Sequence, residues 1–159
     1  MDQKLSRTLP RGNLESGIVN AVGICFYAQN TQRYLYLLRN DPRHPGTWGL
    51  PGGKVNNKET LIQAIERECS EEMGQMPSYI QLAPLEKFTS TDNKFVYHTF
   101  FCSVEEEFTP TLNDEHVGWA WIAAGHWPKP MHPGLWSTMN FDAVREKLNV
   151  AVTNKLTVC

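Results

Sequence analysis

Glu59, Arg67, Glu68, Glu71 and Glu72 fall within residues 59–73 (ETLIQAIERECSEEM), a stretch with neither proline nor glycine. On a helix turning roughly 100° per residue, setting Glu68 at zero puts Glu72 about 40° to one side and Glu71 about 60° to the other. Three carboxylates then share one face. Such clustering costs stability through mutual repulsion, which a hard divalent cation with oxygen ligands would remove. Arg67 lies beside Glu71 on this wheel and follows Glu59 by eight residues, so its planar guanidinium can orient a carboxylate by a bidentate contact. Just upstream, Pro51-Gly52-Gly53 lets the backbone turn sharply and approach a ligand without a Cβ in the way. A backbone carbonyl there can add to the oxygen ligands.

These groups need a scaffold. Leu61, Ile65, Cys69 and Met73 recur every fourth residue, the apolar stripe of an amphipathic helix that ends at Gly74. On the wheel this stripe is centred roughly 80° from Glu68, so one face can be buried while the acids line a cleft. Gly17–Ala28 and Arg33–Arg39 have strand composition, and the intervening Gln29–Gln32 reads as the turn of a β-hairpin. Residues 40–53 read as loop with a short strand around Trp48–Leu50. Strand patterning returns over Tyr79–Ser90, over Lys94–Val104, which is apolar on both faces and suits an inner strand, and over Val117–Ile122. Ser137–Val150 reads as a helix, with Phe141, Val144 and Leu148 on one side. The implied architecture is α/β (α+β), a mixed sheet flanked by at least two helices.

The chain has 159 residues, 41% hydrophobic and 20% charged, which is the size and composition of one globular domain with its own core. A formal net charge of −2 argues against a nucleic-acid polymer as partner. A small phosphorylated ligand stays open, because a bound cation can supply positive charge locally. Cys25, Cys69, Cys102 and Cys159 are widely spaced with no CxxC pair, as expected of free thiols in a reducing compartment. With no apolar run long enough for a signal peptide or a membrane span, the expectation is a soluble cytoplasmic protein. Residues 1–16 read as a polar leader, 17–150 as a single domain and 151–159 as a tail.

Gly53, five residues, Glu59, seven residues and then Arg67-Glu68-Cys69-Ser70-Glu71-Glu72-Met73-Gly74 resembles the Nudix box of the Nudix hydrolase superfamily. The preceding TWGLPGG and the order of later elements extend the resemblance over about residues 17–150. Cys69 and Gln75 stand where that family usually has aliphatic residues, and neither is an ionisable position of the box. The resemblance implies an αβα sandwich that binds Mg²⁺, with Mn²⁺ as the alternative, and hydrolyses a phosphoanhydride bond in a nucleoside diphosphate derivative such as an NDP-sugar, ADP-ribose or an NTP. It implies that Glu68, Glu71 and Glu72 are metal ligands, that Gly53 offers a backbone ligand, and that Glu59 and Arg67 order the site. Some relatives draw a glutamate from a loop outside the box, and Asp114-Glu115-His116 resembles that loop. Glu115 is therefore the candidate further ligand and the alternative to Glu68 as general base. A homodimer is also expected from the family.

Two other readings of the same fold compete with hydrolysis. A non-catalytic domain of this fold that binds nucleotide or protein would be signalled by a missing box glutamate, and none is missing. An isoprenoid diphosphate isomerase would depart from the box. Elsewhere, Trp48, Phe95, Tyr97, Trp119 and Trp121 read as core rather than as stacking surfaces. Arg39 and Arg43 read equally well as phosphate contacts or as solvent-exposed arginines. His44, His98, His116, His126 and His132 show no ligand spacing, and Cys69 reads as an inert buried thiol. The Pro-rich Trp127–Trp136 segment reads as a surface loop pinned by its own side chains, in preference to a wall over the substrate or a dimer contact.

Overall fold

A computed structural model describes residues 17–158, with side chains through residue 153; the leader expected over residues 1–16 lies outside the described residues. The elements are β1 (Val19–Ala28), β2 (Arg33–Arg39), β3 (Trp48–Gly49), β4 (Gly52–Lys54), α1 (Leu61–Met73), β5 (Gln81–Thr89), β6 (Phe95–Val104), β7 (His116–Ala123), α2 (Pro133–Met139) and α3 (Asp142–Val158). All seven strands join one mixed sheet. β1 and β6 run parallel over their whole length, from Val19 opposite Phe95 to Ala28 opposite Val104. β5 adds antiparallel to β6, which makes β6 an inner strand as its two apolar faces require. The β1–β2 hairpin forms but pairs only at Tyr27–Tyr34 and Ala28–Arg33. Beyond that β2 diverges, pairing with β7 along its outer side and with β3 on the side β1 has left. β4, not foreseen within the glycine-rich loop, fills the vacated position beside β1.

Strand alternation sorts the core into two layers. Val22, Ile24 and Phe26 of β1, Leu35 and Leu37 of β2 and Phe100 and Cys102 of β6 pack on Ala64, Ile65, Cys69 and Met73 of α1. Cys25 and Tyr27 of β1, Tyr34 and Tyr36 of β2 and Phe101 of β6 point the other way, against Leu135 and Met139 of α2. A sheet covered by α1 on one face and by α2 and α3 on the other is the αβα sandwich. Each fully buried aliphatic or aromatic side chain contributes about 1.5–3 kcal/mol relative to exposure, so both helical layers are held firmly.

Two local readings are corrected. The helix expected over Ser137–Val150 is two helices. Asn140 closes α2, its Nδ2 donating to the Trp136 carbonyl at 2.8 Å. The Phe141 carbonyl then accepts from Val144 and Arg145 N–H to start α3. Val144 and Leu148 do face the core, whereas Phe141 at the break is exposed. α3 runs across residue 150 to Val158. The Trp127–Trp136 segment is not a self-pinned loop either: Trp48 N–H donates to the Pro130 carbonyl and His132 N–H to the Trp48 carbonyl, both at 2.8 Å. These bonds stitch the segment to β3, and Pro133 at the first position of α2 suits a helix start, where its missing N–H has no partner to lose. Among the described residues no helix is long and apolar enough to cross a membrane.

Candidate functional site

The geometry of the site begins at the N-terminus of α1. Thr60 caps the helix reciprocally: Gln63 N–H donates to Thr60 Oγ1 at 3.1 Å, and Thr60 N–H donates to Gln63 Oε1 at 2.9 Å. One residue earlier, Glu59 accepts from Asn56 N–H at 2.8 Å and from Arg67 through Nε at 2.7 Å and a terminal guanidinium nitrogen at 3.0 Å. The bidentate Arg67 contact, helped by the Asn56 N–H, holds the Glu59 carboxyl below the usual carboxylate range. Arg67 also donates to the Lys54 carbonyl at 2.8 Å, to Glu68 at 3.2 Å and to Glu71 at 3.2 Å. One guanidinium thus ties α1, the loop before it and β4 into a unit.

The acids differ in setting. Glu72 is 3% exposed, the one buried carboxylate of the box, and accepts from Gly52 N–H at 3.0 Å. Burial pushes its pKa up to about 9, against the lowering effect of that N–H, and the charges of Glu68 and Glu115 push the same way. Glu68 is partly buried; desolvation raises its pKa while Arg67 opposes the rise, and Glu71 and Glu115 add to it. Glu71 is largely exposed and turned to Arg67. Glu115 is exposed on the loop before β7, which is tethered by Asn40 N–H to the Glu115 carbonyl at 2.8 Å and by Glu115 N–H to Asn113 Oδ1 at 3.0 Å. Its charge reaches both Glu68 and Glu72 although it is distant in sequence.

The glycines of β4 make this approach possible. Gly52 has φ of +151°, and a Cβ there would run into the Val22 carbonyl of β1. At Gly53 a Cβ would occupy the place of the Glu68 carboxylate, which lies directly over the Gly53 backbone. A substituent at either position would push β4 away from β1 or from α1.

Among the described residues no three acidic, histidine or cysteine side chains are gathered closely enough to hold a cation as they stand. The donor chemistry nevertheless fits a hard divalent ion. Burial, with the charges of Glu68 and Glu115, raises the Glu72 pKa, and a divalent ion bound there would favour the ionised carboxylate. Oxygen donors from carboxylates and a glycine-lined backbone are the set such ions take.

A family model described as the NUDIX domain matches residues 17–139. The chain belongs to the Nudix family. Nucleoside triphosphatase NudI of Escherichia coli O17:K52:H18 is 30% identical over 112 residues, covering 62% of this chain and 79% of that protein. Among solved structures, the MutT NUDIX hydrolase of Burkholderia pseudomallei superposes with a TM-score of 0.59 at 23% identity, over 80% of this chain and 95% of its own. The NUDIX domain of Shewanella oneidensis NrtR, complexed with ADP ribose, reaches a TM-score of 0.66 at 18% identity, over 82% and 88%. The protein is accordingly a Nudix hydrolase acting on phosphoanhydride bonds, and hydrolases of this family generally use divalent metal ions. The Cys69 thiol is buried among apolar residues with its pKa raised by desolvation, which leaves it inert.

On the α2 side of the sheet, Gly53 also borders a cavity of about 690 Å³, walled by β5, β6, β3 and α2. The sequence did not reveal it, since it needs α2 and its crossing to β3. Phe95, expected in the core, is 36% exposed at its mouth, and Tyr97 lines it, with its hydroxyl raised to about 12 by burial. Trp119, also expected in the core, is 39% exposed on β7, whereas Trp121 is buried and Trp48 packs against the α2-side layer. Arg39 borders the cavity but is already held bidentately by Asp41, at 2.7 and 2.9 Å. Arg43 is exposed. His132 caps α2, accepting from Gly134 N–H at 3.0 Å; burial and the Arg39 charge lower it to about 4, so it is neutral at pH 7.

Proposed function

We propose that this protein is a Mg²⁺-dependent pyrophosphohydrolase that cleaves a phosphoanhydride bond in a nucleoside diphosphate derivative, such as an NTP, an NDP-sugar or ADP-ribose. The observation that carries the proposal is the meeting of buried Glu72 and partly buried Glu68 at the Gly52–Gly53 backbone, where Gly53 also borders a cavity of nucleotide size. The similarity to nucleoside triphosphatase NudI, and the ADP ribose bound by the NrtR domain, support substrates of this class. Glu68, Glu71, Glu72, Glu115 and the Gly53 carbonyl are the ligands proposed for Mg²⁺ or Mn²⁺. A bound cation would withdraw charge from the phosphate oxygens and acidify the attacking water. Glu68 is the proposed general base. Its raised pKa brings proton affinity closer to neutral pH than an ordinary glutamate offers, and it lies over Gly53, whose backbone borders the cavity. Glu115, exposed on the loop before β7, is the alternative. Glu59 and Arg67 hold Glu68 and Glu71 in place, and contact with the reacting atoms is not required of them.

Free, buried Cys25, Cys69 and Cys102 support a reducing, cytoplasmic setting. The test is turnover of NTPs, NDP-sugars and ADP-ribose with Mg²⁺ in ¹⁸O-labelled water, using the parent, Glu68→Gln and Glu115→Gln. Label in one phosphate product identifies the bond broken, and the variant with the larger loss of kcat identifies the base. Folded parent protein inert toward the whole panel would refute the proposal.

A further inference from the structure

Three features of the cavity remain without a use in the hydrolytic site. Its far wall carries Glu86 of β5, whose Oε1 accepts a hydrogen bond from Thr138 Oγ1 of α2 at 2.8 Å. Among the described residues no lysine, arginine or histidine forms an ion pair with Glu86, so a partly buried carboxylate faces an apolar cavity with one oxygen lacking a donor. Directly across the ladder, Thr99 is 1% exposed and its hydroxyl has no hydrogen-bond partner. An unpaired buried polar group is costly and uncommon, and the Thr99 hydroxyl beside the half-satisfied, partly buried Glu86 carboxylate indicates a ligand with hydrogen-bonding groups of its own. The third feature is aromatic: Phe88 is 50% exposed and Phe95 is 36% exposed, both on the cavity wall. The Phe95 ring stacks with Tyr97 at 6.3 Å and 25°, which aligns two π faces along that wall.

We infer that this wall is the base-recognition site for the nucleotide and that Glu86, positioned by Thr138, selects guanine. The inference rests on the hydrolase assignment above, because Gly53 borders the same cavity and would put the phosphates at the box and the base at β5. An ionised carboxylate only accepts hydrogen bonds. Guanine presents two adjacent donors, the ring N1–H and the exocyclic N2 amino group, which match the two oxygens of a carboxylate fork. Hypoxanthine keeps only the ring N–H. Adenine and cytosine offer an amino group beside a ring nitrogen that is an acceptor, which the carboxylate repels. The aromatic wall stacks on any base and adds affinity without choice, so discrimination falls to Glu86.

The test has a binding arm and a turnover arm. GMP, IMP, AMP and CMP are titrated calorimetrically against the parent, Glu86→Gln and Thr138→Val, and kcat/KM is measured with Mg²⁺ for GTP, ITP and ATP. Loss of one charge-assisted hydrogen bond should weaken IMP against GMP by about tenfold or more. Glu86→Gln, nearly isosteric, should erase the difference, and Thr138→Val, which keeps the carboxylate but frees its rotamer, should reduce it. Equal binding of GMP and IMP, a preference for AMP or CMP, a guanine preference that survives Glu86→Gln, or no detectable GMP binding overturns the inference. Turnover without base preference would leave the hydrolase assignment standing and remove this one. GMP selectivity lost in Glu86→Gln, with no turnover of any nucleotide, would do the reverse.

Discussion

Glu72 should make the cation-free protein lose stability as pH rises through neutrality. Its pKa is about 9 in the folded state against an ordinary 4.5, so between those values the folded chain holds a proton that the unfolded chain has released. Stability from a group raised in this way is fully present below the unfolded value and is lost as pH climbs through about 9. The slope while one extra proton is held is about 1.4 kcal/mol per pH unit. The window from pH 7 to 8 avoids His116 and His132, which are lowered to about 4 and act only at acid pH, and the thiols of Cys25 and Cys102, raised to about 12. A loss of about 1.4 kcal/mol corresponds to a fall in Tm of about 3–5 °C for a chain of this size. The assay is thermal unfolding in EDTA at both pH values for the parent and Glu72→Gln. The amide keeps an oxygen for the Gly52 N–H and carries no titrating proton, so the variant should lose about 1 °C or less from the same cause. Mg²⁺ should raise the parent Tm more at pH 8 than at pH 7, because an ion replaces the proton. A parent curve flat between the two pH values, or a slope shared by Glu72→Gln, would refute the burial argument.

Other outcomes follow from the same contacts. Gly53→Ala would push its methyl into the Glu68 carboxylate, and should cut kcat by about a hundredfold or more while the far-ultraviolet circular dichroism stays near that of the parent. Arg67→Lys would lose the bidentate hold on Glu59 and the bond to the Lys54 carbonyl; kcat should fall with KM little changed, and the lysine should not rescue it as a mere charge would. Thr60→Ala removes one half of the α1 cap and should lower stability by about 1 kcal/mol in denaturant titration, with activity retained.

The acids were legible because their meaning is local. A period of 3.6 residues suffices to bring Glu68, Glu71 and Glu72 together and to set Ile65 and Cys69 against the sheet, and the spacing from Gly53 to Glu68 survives as contact. The unequal burial of those glutamates was not legible, since Glu72 is enclosed by β4, whose seat beside β1 depends on where β2 diverges. The cavity was hidden for a related reason. Glu86 follows a shift of the β5–β6 register between Pro84 and Glu86, and Thr138 reaches it from α2, a helix the sequence pattern had merged with the next. Phe95 carried a signal, being a large apolar residue at the end of a strand, but composition alone could not tell a cavity rim from a core.

The central claim is that the box glutamates hydrolyse a phosphoanhydride through a divalent cation, and the most direct measurement is the initial rate against Mg²⁺ concentration for one accepted nucleotide. The parent should be inactive in EDTA and saturate with Mg²⁺. Glu68→Gln and Glu72→Gln should each lose most of kcat, with Glu72→Gln also needing more Mg²⁺ to saturate. Turnover that persists in EDTA, or that both variants retain at the parent's rate, would contradict it.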